Sequence, residues 1–219
     1  MSRTTDALIQ SLSADLPKVV PGAVGRRVAM GLGLGAVASA ILMLAWLGPR
    51  ADLAQAVGTP MFWIKFGYAS VTGLIAAVLL ARLARPAVRH GALGVLSIAS
   101  LAPFAVVALM AVVRMALAPG SAHRAMLLGH TAMLCPWRIL AIGLPVLAGA
   151  VWAVRGLAPT RLGFAGLVAG AAAGGIGAAI YAVACDETSA AFLAIWYSLG
   201  MAVLAALGAL AGSRLLRWR

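Results

Sequence analysis

The chain has 219 residues, of which 63% are hydrophobic and 10% are charged. Soluble domains carry about 25% charged residues, so this composition excludes an ordinary water-soluble globule and indicates a membrane protein. The formal net charge of +12 would suggest a nucleic-acid partner for a soluble protein. In a membrane protein it is better explained by arginines that flank the spans and set their orientation, so we expect no nucleic-acid partner.

The leader, residues 1–27, is polar and contains a short amphipathic pattern. Thr4, Thr5 and Asp6 are typical of residues that cap the start of a helix. Four apolar side chains then recur at helical spacing near one face: Leu8, Ile9, Leu12 and Leu16. A helix this short is marginal alone in water and needs a partner. The sequence leaves that partner open between the membrane surface, the protein's own loops and another protein.

Six apolar blocks follow the leader, and each reaches the roughly 20 residues that a helix needs to cross a bilayer. They cover residues 28–47, 61–80, 91–113, 126–154, 162–184 and 191–212. The fourth block is overlong, so its helix is expected to begin a few residues after Met126. The connections are too short to hold a second domain. The predicted fold is all-α: a polytopic bundle of six transmembrane helices over residues 28–213, followed by a basic tail at 214–219.

Positive charges are distributed unequally between the two sides of the predicted bundle. Most of the 17 Lys and Arg residues lie in the leader, the second and fourth connections and the tail. The opposite side has Arg50, Arg114 and Arg124. Because loops rich in Lys and Arg stay in the cytoplasm, both termini are predicted to be cytoplasmic.

Small residues recur at four-residue spacing in the first and fifth blocks. These residues are Gly31, Gly35, Ser39, Gly166, Gly170 and Gly174. Small side chains four residues apart let helix backbones approach closely in lipid. The pattern predicts a tightly packed bundle and does not indicate its activity.

A few polar residues interrupt the blocks or lie at their ends, on the side opposite the termini. They are Lys65, His130, Arg138, Asp186 and Glu187. An ionisable residue within a span is costly and by default marks a functional site. For Lys65 and Arg138 we favour the ordinary interpretation, that long cationic side chains reach out to the head groups, because both lie near the membrane surface.

The two cysteines, Cys135 and Cys185, lie in different blocks but at similar predicted depth. Residues three apart share a helix face, so Arg138 would lie beside Cys135 and favour its thiolate. The pair is interpreted either as a reversible disulfide or as a soft-metal site, with His130 or Asp186 as further ligands. Spacing alone favours the alternative that they are unrelated, because Cys is ordinary in apolar spans.

Neither enzymatic nor transport activity is indicated by a motif. The five acidic residues leave few places for a catalytic carboxylate pair, and no span holds an acidic residue that would couple ion flow. We therefore expect a protein that is not an enzyme and has no constitutive cofactor. Two alternatives stay open: a membrane thiol oxidoreductase, which the lack of a C-x-x-C pair disfavours, and a small-molecule or metal transporter.

Several stretches are informative as a set and run through nearly the whole chain. They are residues 6–17, 26–27, 59–65, 82–86, 157–161, 181–187 and 194–197. With Lys65 in the F-W-x-K stretch and the two cysteines, this set resembles the bacterial negative regulators of sigma factor F. Members of that family are six-span anti-sigma factors of extracytoplasmic-function (ECF) sigma factors.

The resemblance implies an anti-sigma factor in the bacterial inner membrane. Its cytoplasmic side would hold an ECF sigma factor away from RNA polymerase, on a surface assembled from the leader, the short loops and the basic tail. The leader residues expected to contact the sigma factor are Asp6, Leu8, Ile9, Leu12, Leu16, Arg26 and Arg27. Membrane lipid is the second expected partner, and self-association into a homo-oligomer stays open.

The resemblance also implies a sensor on the periplasmic side. Cys135 and Cys185 would detect heavy-metal or oxidative stress, and the helix bundle would relay the change so that the sigma factor is released. A soft metal ion would bind the two cysteines transiently. The five polar residues named above would support this sensor.

Overall fold

The computed structural model describes residues 2–14, 22–85, 90–157, 159 and 161–216, and these residues form helices and connections without a strand. Leu16 and residues 217–219 of the basic tail lie outside them. The helices in chain order are α1 (Ser2–Ala14), α2 (Ala23–Trp46), α3 (Leu53–Ala56), α4 (Pro60–Leu83), α5 (His90–Ala99), α6 (Ala102–Leu117), α7 (His123–Leu128), α8 (Cys135–Arg155), α9 (Leu162–Tyr181), α10 (Ala190–Phe192) and α11 (Ser198–Leu215).

Six helical segments are long and apolar enough to cross a membrane. Four are α2, α4, α8 and α9, and the other two are Gly94–Leu117, formed by α5 and α6, and Ala190–Leu215, formed by α10 and α11. The all-α class and the number of candidate spans are thus confirmed. Met126 lies in the separate helix α7, and α8 begins only at Cys135, so the late start predicted for the fourth helix is also confirmed.

The third and sixth segments depart from the continuous helices expected from the sequence. The third is interrupted at residues 100–101, because Pro103 lies in the first turn of a new helix, a position that proline favours, and this helix continues to Leu117. In the sixth, a π-helical turn at Leu193–Tyr197 widens the helix before α11. Such turns often occur at functional sites.

Glycines set the spacing between the helices. α9 lies at the centre of the bundle and packs against α4, α8 and α11. A Cβ atom at Gly170 would overlap the backbone of Leu204, and one at Gly31 would overlap the backbone of Gly149. Ser39 donates a hydrogen bond to the carbonyl oxygen of Ile142. The close helix packing predicted from the small residues is therefore confirmed.

The helices alternate in direction, which gives the bundle two ends. The cysteine end contains Trp46, Pro60, Leu117, Cys135, Tyr181 and Ala190, and the leader end contains Ala23, Leu83, Arg155, Leu162 and Leu215. The backbone amide of Arg50 donates to the carbonyl oxygen of Val183 at 3.2 Å, which joins two connections at the cysteine end.

The leader forms the predicted amphipathic helix, but the predicted cap is wrong. α1 already begins at Ser2, so Thr4, Thr5 and Asp6 lie within its first turns, where they are tolerated because the propensity penalty is below about 0.7 kcal/mol per residue. The side chains of Leu8, Ile9 and Leu12 are 58%, 59% and 65% exposed. The apolar face of α1 is therefore free to contact a partner.

Candidate functional site at the cysteine end

Lys65 is buried inside the bundle, in the second turn of α4. Its side chain is 2% exposed, and Nζ donates hydrogen bonds to the carbonyl oxygens of Cys185 at 2.7 Å and Glu187 at 3.0 Å. The interpretation that Lys65 reaches for the head groups is therefore wrong. Burial of an ammonium group is tolerated here because the two carbonyl oxygens replace water.

The carboxylate of Glu187 connects two segments that are far apart in sequence. Its Oε1 atom accepts hydrogen bonds from the amide of His130 at 2.6 Å, the amide of Thr131 at 2.8 Å and the Thr131 hydroxyl at 3.0 Å. Gly129 has a φ of 51°, and a Cβ atom there would overlap the carboxylate. Glu187 is buried and Asp186 is exposed, so the two adjacent side chains point in different directions.

Both cysteines lie next to this connection. The amide of Cys135 donates to the carbonyl oxygen of Thr131 at 2.8 Å, so the first turn of α8 continues from the turn that Glu187 holds. Cys185 offers its own carbonyl oxygen to Lys65. We call Lys65, Glu187 and the backbone of residues 129–131 and 185–187 the latch. The backbone of Cys185 is therefore part of the latch, and the backbone of Cys135 is hydrogen-bonded to it.

The two thiols are free and buried, with Cys135 0% and Cys185 2% exposed. They belong to one contiguous cluster of buried side chains that also contains Tyr181 and Tyr197. The tyrosine rings lie 5.9 Å apart, centroid to centroid. Within the described part of the chain, the two tyrosine hydroxyls are the buried side-chain groups that lack a hydrogen-bond partner. The cluster thus places two buried tyrosine hydroxyls among the same side chains as the thiols, which the sequence did not indicate.

Arg50 is a second cation on the carbonyl oxygen of Cys185, to which its Nη1 donates at 3.2 Å. Its guanidinium also pairs with Asp52 through two hydrogen bonds of 2.6 and 2.7 Å. These bonds raise the pKa of Arg50 and lower the pKa of the Asp52 carboxyl. Sequence reasoning treated Arg50 only as a charge that sets orientation, although the Arg-x-Asp spacing in a short connection was a usable signal.

Arg138 lies close to Tyr181 and the two cysteines, whereas the other two polar candidates do not join the thiols. His130 and Asp186 are exposed, and Arg138 is half-buried. Among the described residues, no group of three or more His, Cys, Asp and Glu side chains is placed to hold a metal ion. His130 and Asp186 are therefore not brought together with the two cysteines as further ligands.

At the leader end, the two adjacent arginines differ. Arg26 is exposed, whereas Arg27 is half-buried. The Nε atom of Arg27 donates to the carbonyl oxygen of Ala153 at 3.0 Å, and its guanidinium lies 5.2 Å from the ring centroid of Trp152. Arg27 therefore fastens the start of α2 to the last turns of α8, the helix that begins at Cys135.

Comparisons with known proteins identify one family. The family model for negative regulators of sigma F matches residues 12–218. The anti-sigma-F factor NrsF of Caulobacter vibrioides (strain NA1000 / CB15N) is 41% identical over 216 residues, which cover 98% of this chain and 99% of that protein. The probable anti-sigma-F factor NrsF of Azospira oryzae is 37% identical over 220 residues, with 98% and 99% coverage. No solved structure matches the chain.

Proposed function

Because this chain belongs to the family of negative regulators of sigma F, we propose that it retains an ECF sigma factor at the bacterial inner membrane and releases it under stress. It is a regulatory protein and not an enzyme, so the thiol oxidoreductase alternative is set aside. No observation favours the transporter alternative. The partner implied by the family is a sigma factor.

The observation that carries the proposal is the exposed apolar face of α1. Leu8, Ile9 and Leu12 present three large apolar side chains on a helix too short to be stable alone. An amphipathic helix of this kind docks in a groove of a partner protein. The proposed domain organisation is a binding leader at residues 1–27, a bundle at 28–213 and a basic tail at 214–219. Asp6 and the exposed Arg26 extend the binding surface.

The membrane location is supported by the outward faces of the long helices. Large apolar side chains remain exposed along these faces, among them Leu34, Ile41, Leu74, Ile98 and Leu109. A continuous apolar belt would promote aggregation in water but is covered by acyl chains in a bilayer. The excess of arginines at the leader end supports a cytoplasmic position for that end and a periplasmic position for the cysteine end.

Reporter fusions test this orientation. We expect fusions after residues 27, 89, 156 and 219 to report the cytoplasm, and fusions after residues 58, 120 and 187 to report the periplasm. The physical reason is the retention of arginine-rich segments on the cytoplasmic side. Termini on opposite sides of the membrane would contradict the proposal, since they require an odd number of spans.

The sensing proposal assigns the stress signal to Cys135 and Cys185. A soft divalent ion would replace the protons of both thiols, or an oxidant would take two electrons and two protons as a disulfide forms. Either reaction changes the packing between the start of α8 and the segment after α9, which the latch holds together. To move the two-state equilibrium from about 1:99 to 99:1, the ion must discriminate between the states by roughly 5.5 kcal/mol.

The relay from the sensor to the leader would follow α8. This helix begins at Cys135 and reaches Ala153, where Arg27 holds the start of α2. Packed helices respond to such a change by shifting as units, because a dense core does not deform continuously. A shift of α8 would therefore displace the last residues of the leader, which adjoin the proposed binding surface for the sigma factor.

Alanine substitutions at Arg26 and Arg27 should distinguish a residue that contacts the sigma factor from one that connects α2 to α8. Arg27→Ala removes a hydrogen bond from a charged group, worth about 1.5–3 kcal/mol. We expect it to lower the thermal unfolding midpoint in detergent by several degrees, at roughly 2–4 °C per kcal/mol. Arg26→Ala should leave the midpoint unchanged and weaken only the co-purification of the sigma factor. Equal midpoints for the two variants would show that Arg27 does not fasten α2 to α8.

A further inference from the structure

A methionine-lined cavity opens at the cysteine end, apart from the buried thiols. Its volume is about 650 Å³, and it lies between α4, α6, α7 and the segment 186–190. Met61, Met110 and Met126 contribute to its wall, and His130 and Asp186 also line it. The three thioethers come from three different helices. The bundle therefore brings soft ligands from distant parts of the chain to one space.

Independent packing contacts place the same methionines together. Four of the nine methionines pack, half-buried, around a small cluster formed by Ala111, Ala190 and Ala191. These methionines are Met61, Met110, Met115 and Met126. The hydroxyl of Ser189 donates to the carbonyl oxygen of Met126 at 2.7 Å, which holds α7 against the segment after α9. The four methionines are thus brought together by contacts other than the cavity itself.

We propose that this cavity binds a soft monovalent cation of the Cu(I) or Ag(I) class through Met61, Met110 and Met126, with the imidazole of His130 as a further ligand. Thioether sulfur is a soft, neutral ligand that selects Cu(I) over hard cations such as Mg²⁺. Methionine has three rotatable bonds, so each sulfur can adjust its position within the cavity to meet an ion.

The charges around the cavity favour a weakly charged, soft cation over a hard divalent one. One oxygen of the Glu187 carboxylate, Oε1, already accepts three hydrogen bonds from residues 130 and 131. Asp186 and Arg114 both line the cavity with exposed side chains. Their charges have opposite signs, so they offset each other at the cavity. A hard divalent cation needs several oxygen ligands. The oxygen-bearing side chains of this wall are Asp186, Glu187, Thr188 and Ser189, of which Glu187 and Ser189 already hydrogen-bond within the protein. The thioethers and the imidazole are the ligands of this wall that suit a soft cation.

The ordinary role of methionine is to fill gaps in a core. A gap-filling side chain closes the space around it, whereas these side chains line a space large enough to hold an ion and several waters. The two roles differ in one measurable respect. Leucine fills the same volume as methionine but has no sulfur, so replacement with leucine preserves packing and removes coordination.

Silver ion is the probe, because it does not change oxidation state during the measurement. The protein is purified in detergent with Cys135→Ser and Cys185→Ser, which removes the thiols as competing ligands. We expect this protein to retain about one Ag⁺ per chain after desalting. Adding Met61→Leu, Met110→Leu and Met126→Leu should abolish retention. A control with Met30→Leu, Met43→Leu and Met201→Leu, which alters the same number of methionines elsewhere, should keep it.

Two results would overturn the proposal: no Ag⁺ bound by the protein without cysteines, or equal retention by the two leucine triplets. If the first triplet fails to fold, His130→Gln serves instead, because its exposed imidazole is not part of the core. We expect that variant to bind Ag⁺ at least tenfold more weakly, because loss of a group that only supports a ligand already costs roughly 10- to 100-fold. If only the His130→Gln variant folds and its affinity for Ag⁺ is unchanged, the proposed site is also rejected. None of these outcomes depends on binding of a sigma factor.

Discussion

Replacement of Lys65 with methionine is expected to release the segment at residues 185–187 and to expose the thiol of Cys185. Methionine keeps the length of the side chain but removes both hydrogen bonds from the ammonium group to the carbonyl oxygens of Cys185 and Glu187. Each such bond from a charged group contributes about 1.5–3 kcal/mol. Arg50 still holds the carbonyl oxygen of Cys185, so the loss is partial.

The measurement is the rate at which a maleimide labels Cys185 in a Cys135→Ser background. Local opening becomes tenfold more frequent for each 1.4 kcal/mol lost, so we expect labelling to be about 10- to 100-fold faster than with Lys65 intact. Arg114→Met is the control, because it removes an exposed cation at the same end. An unchanged labelling rate for Lys65→Met would show that the latch does not hold the cysteine segment.

The paired substitution Leu8→Asp and Leu12→Asp is expected to release the sigma factor without stress. Burial of one leucine is worth roughly 1.5–3 kcal/mol, and both side chains are exposed and available to a partner. Loss of both should weaken binding by about 10²–10⁴-fold, at about 1.4 kcal/mol per decade. The measurement is co-purification of the sigma factor with the detergent-solubilised protein.

A matched control separates this contact from a general effect of charge. Gln10→Asp with Ala14→Asp adds two carboxylates at the same four-residue spacing, on the opposite face of α1. That pair should leave co-purification intact. Equal loss in both pairs would point to charge repulsion. Full retention in the Leu8 and Leu12 pair would place α1 on the membrane surface and the binding site in the loops.

The features that sequence reasoning predicted are those encoded locally. A helix that crosses a bilayer must be apolar over its whole length, so the six blocks were visible without any knowledge of the fold. The helical spacing of Leu8, Ile9 and Leu12 likewise required only the period of one helix. The pattern of small residues predicted a close helix contact at Gly31. It did not identify the partner residue, which is Gly149 of α8.

The latch could not be predicted because its bonds join distant segments through the backbone. Lys65 binds carbonyl oxygens more than 100 residues away, and carbonyl groups leave no trace in the sequence. The partners of Glu187 are likewise amides of a turn that begins at the left-handed Gly129. The difference between Arg26 and Arg27 depends on which side of α2 faces α8, which adjacent identical residues do not reveal.

The most direct test is the distribution of a fluorescently labelled partner sigma factor between membrane and cytoplasm, before and after exposure to cadmium ion or a thiol oxidant. With the natural chain, we expect the sigma factor at the membrane before stress and in the cytoplasm afterwards. With Cys135→Ser or Cys185→Ser, it should stay at the membrane under both conditions. A sigma factor that is cytoplasmic in unstressed cells, or that leaves the membrane equally in the serine variants, would contradict retention controlled by the cysteine end.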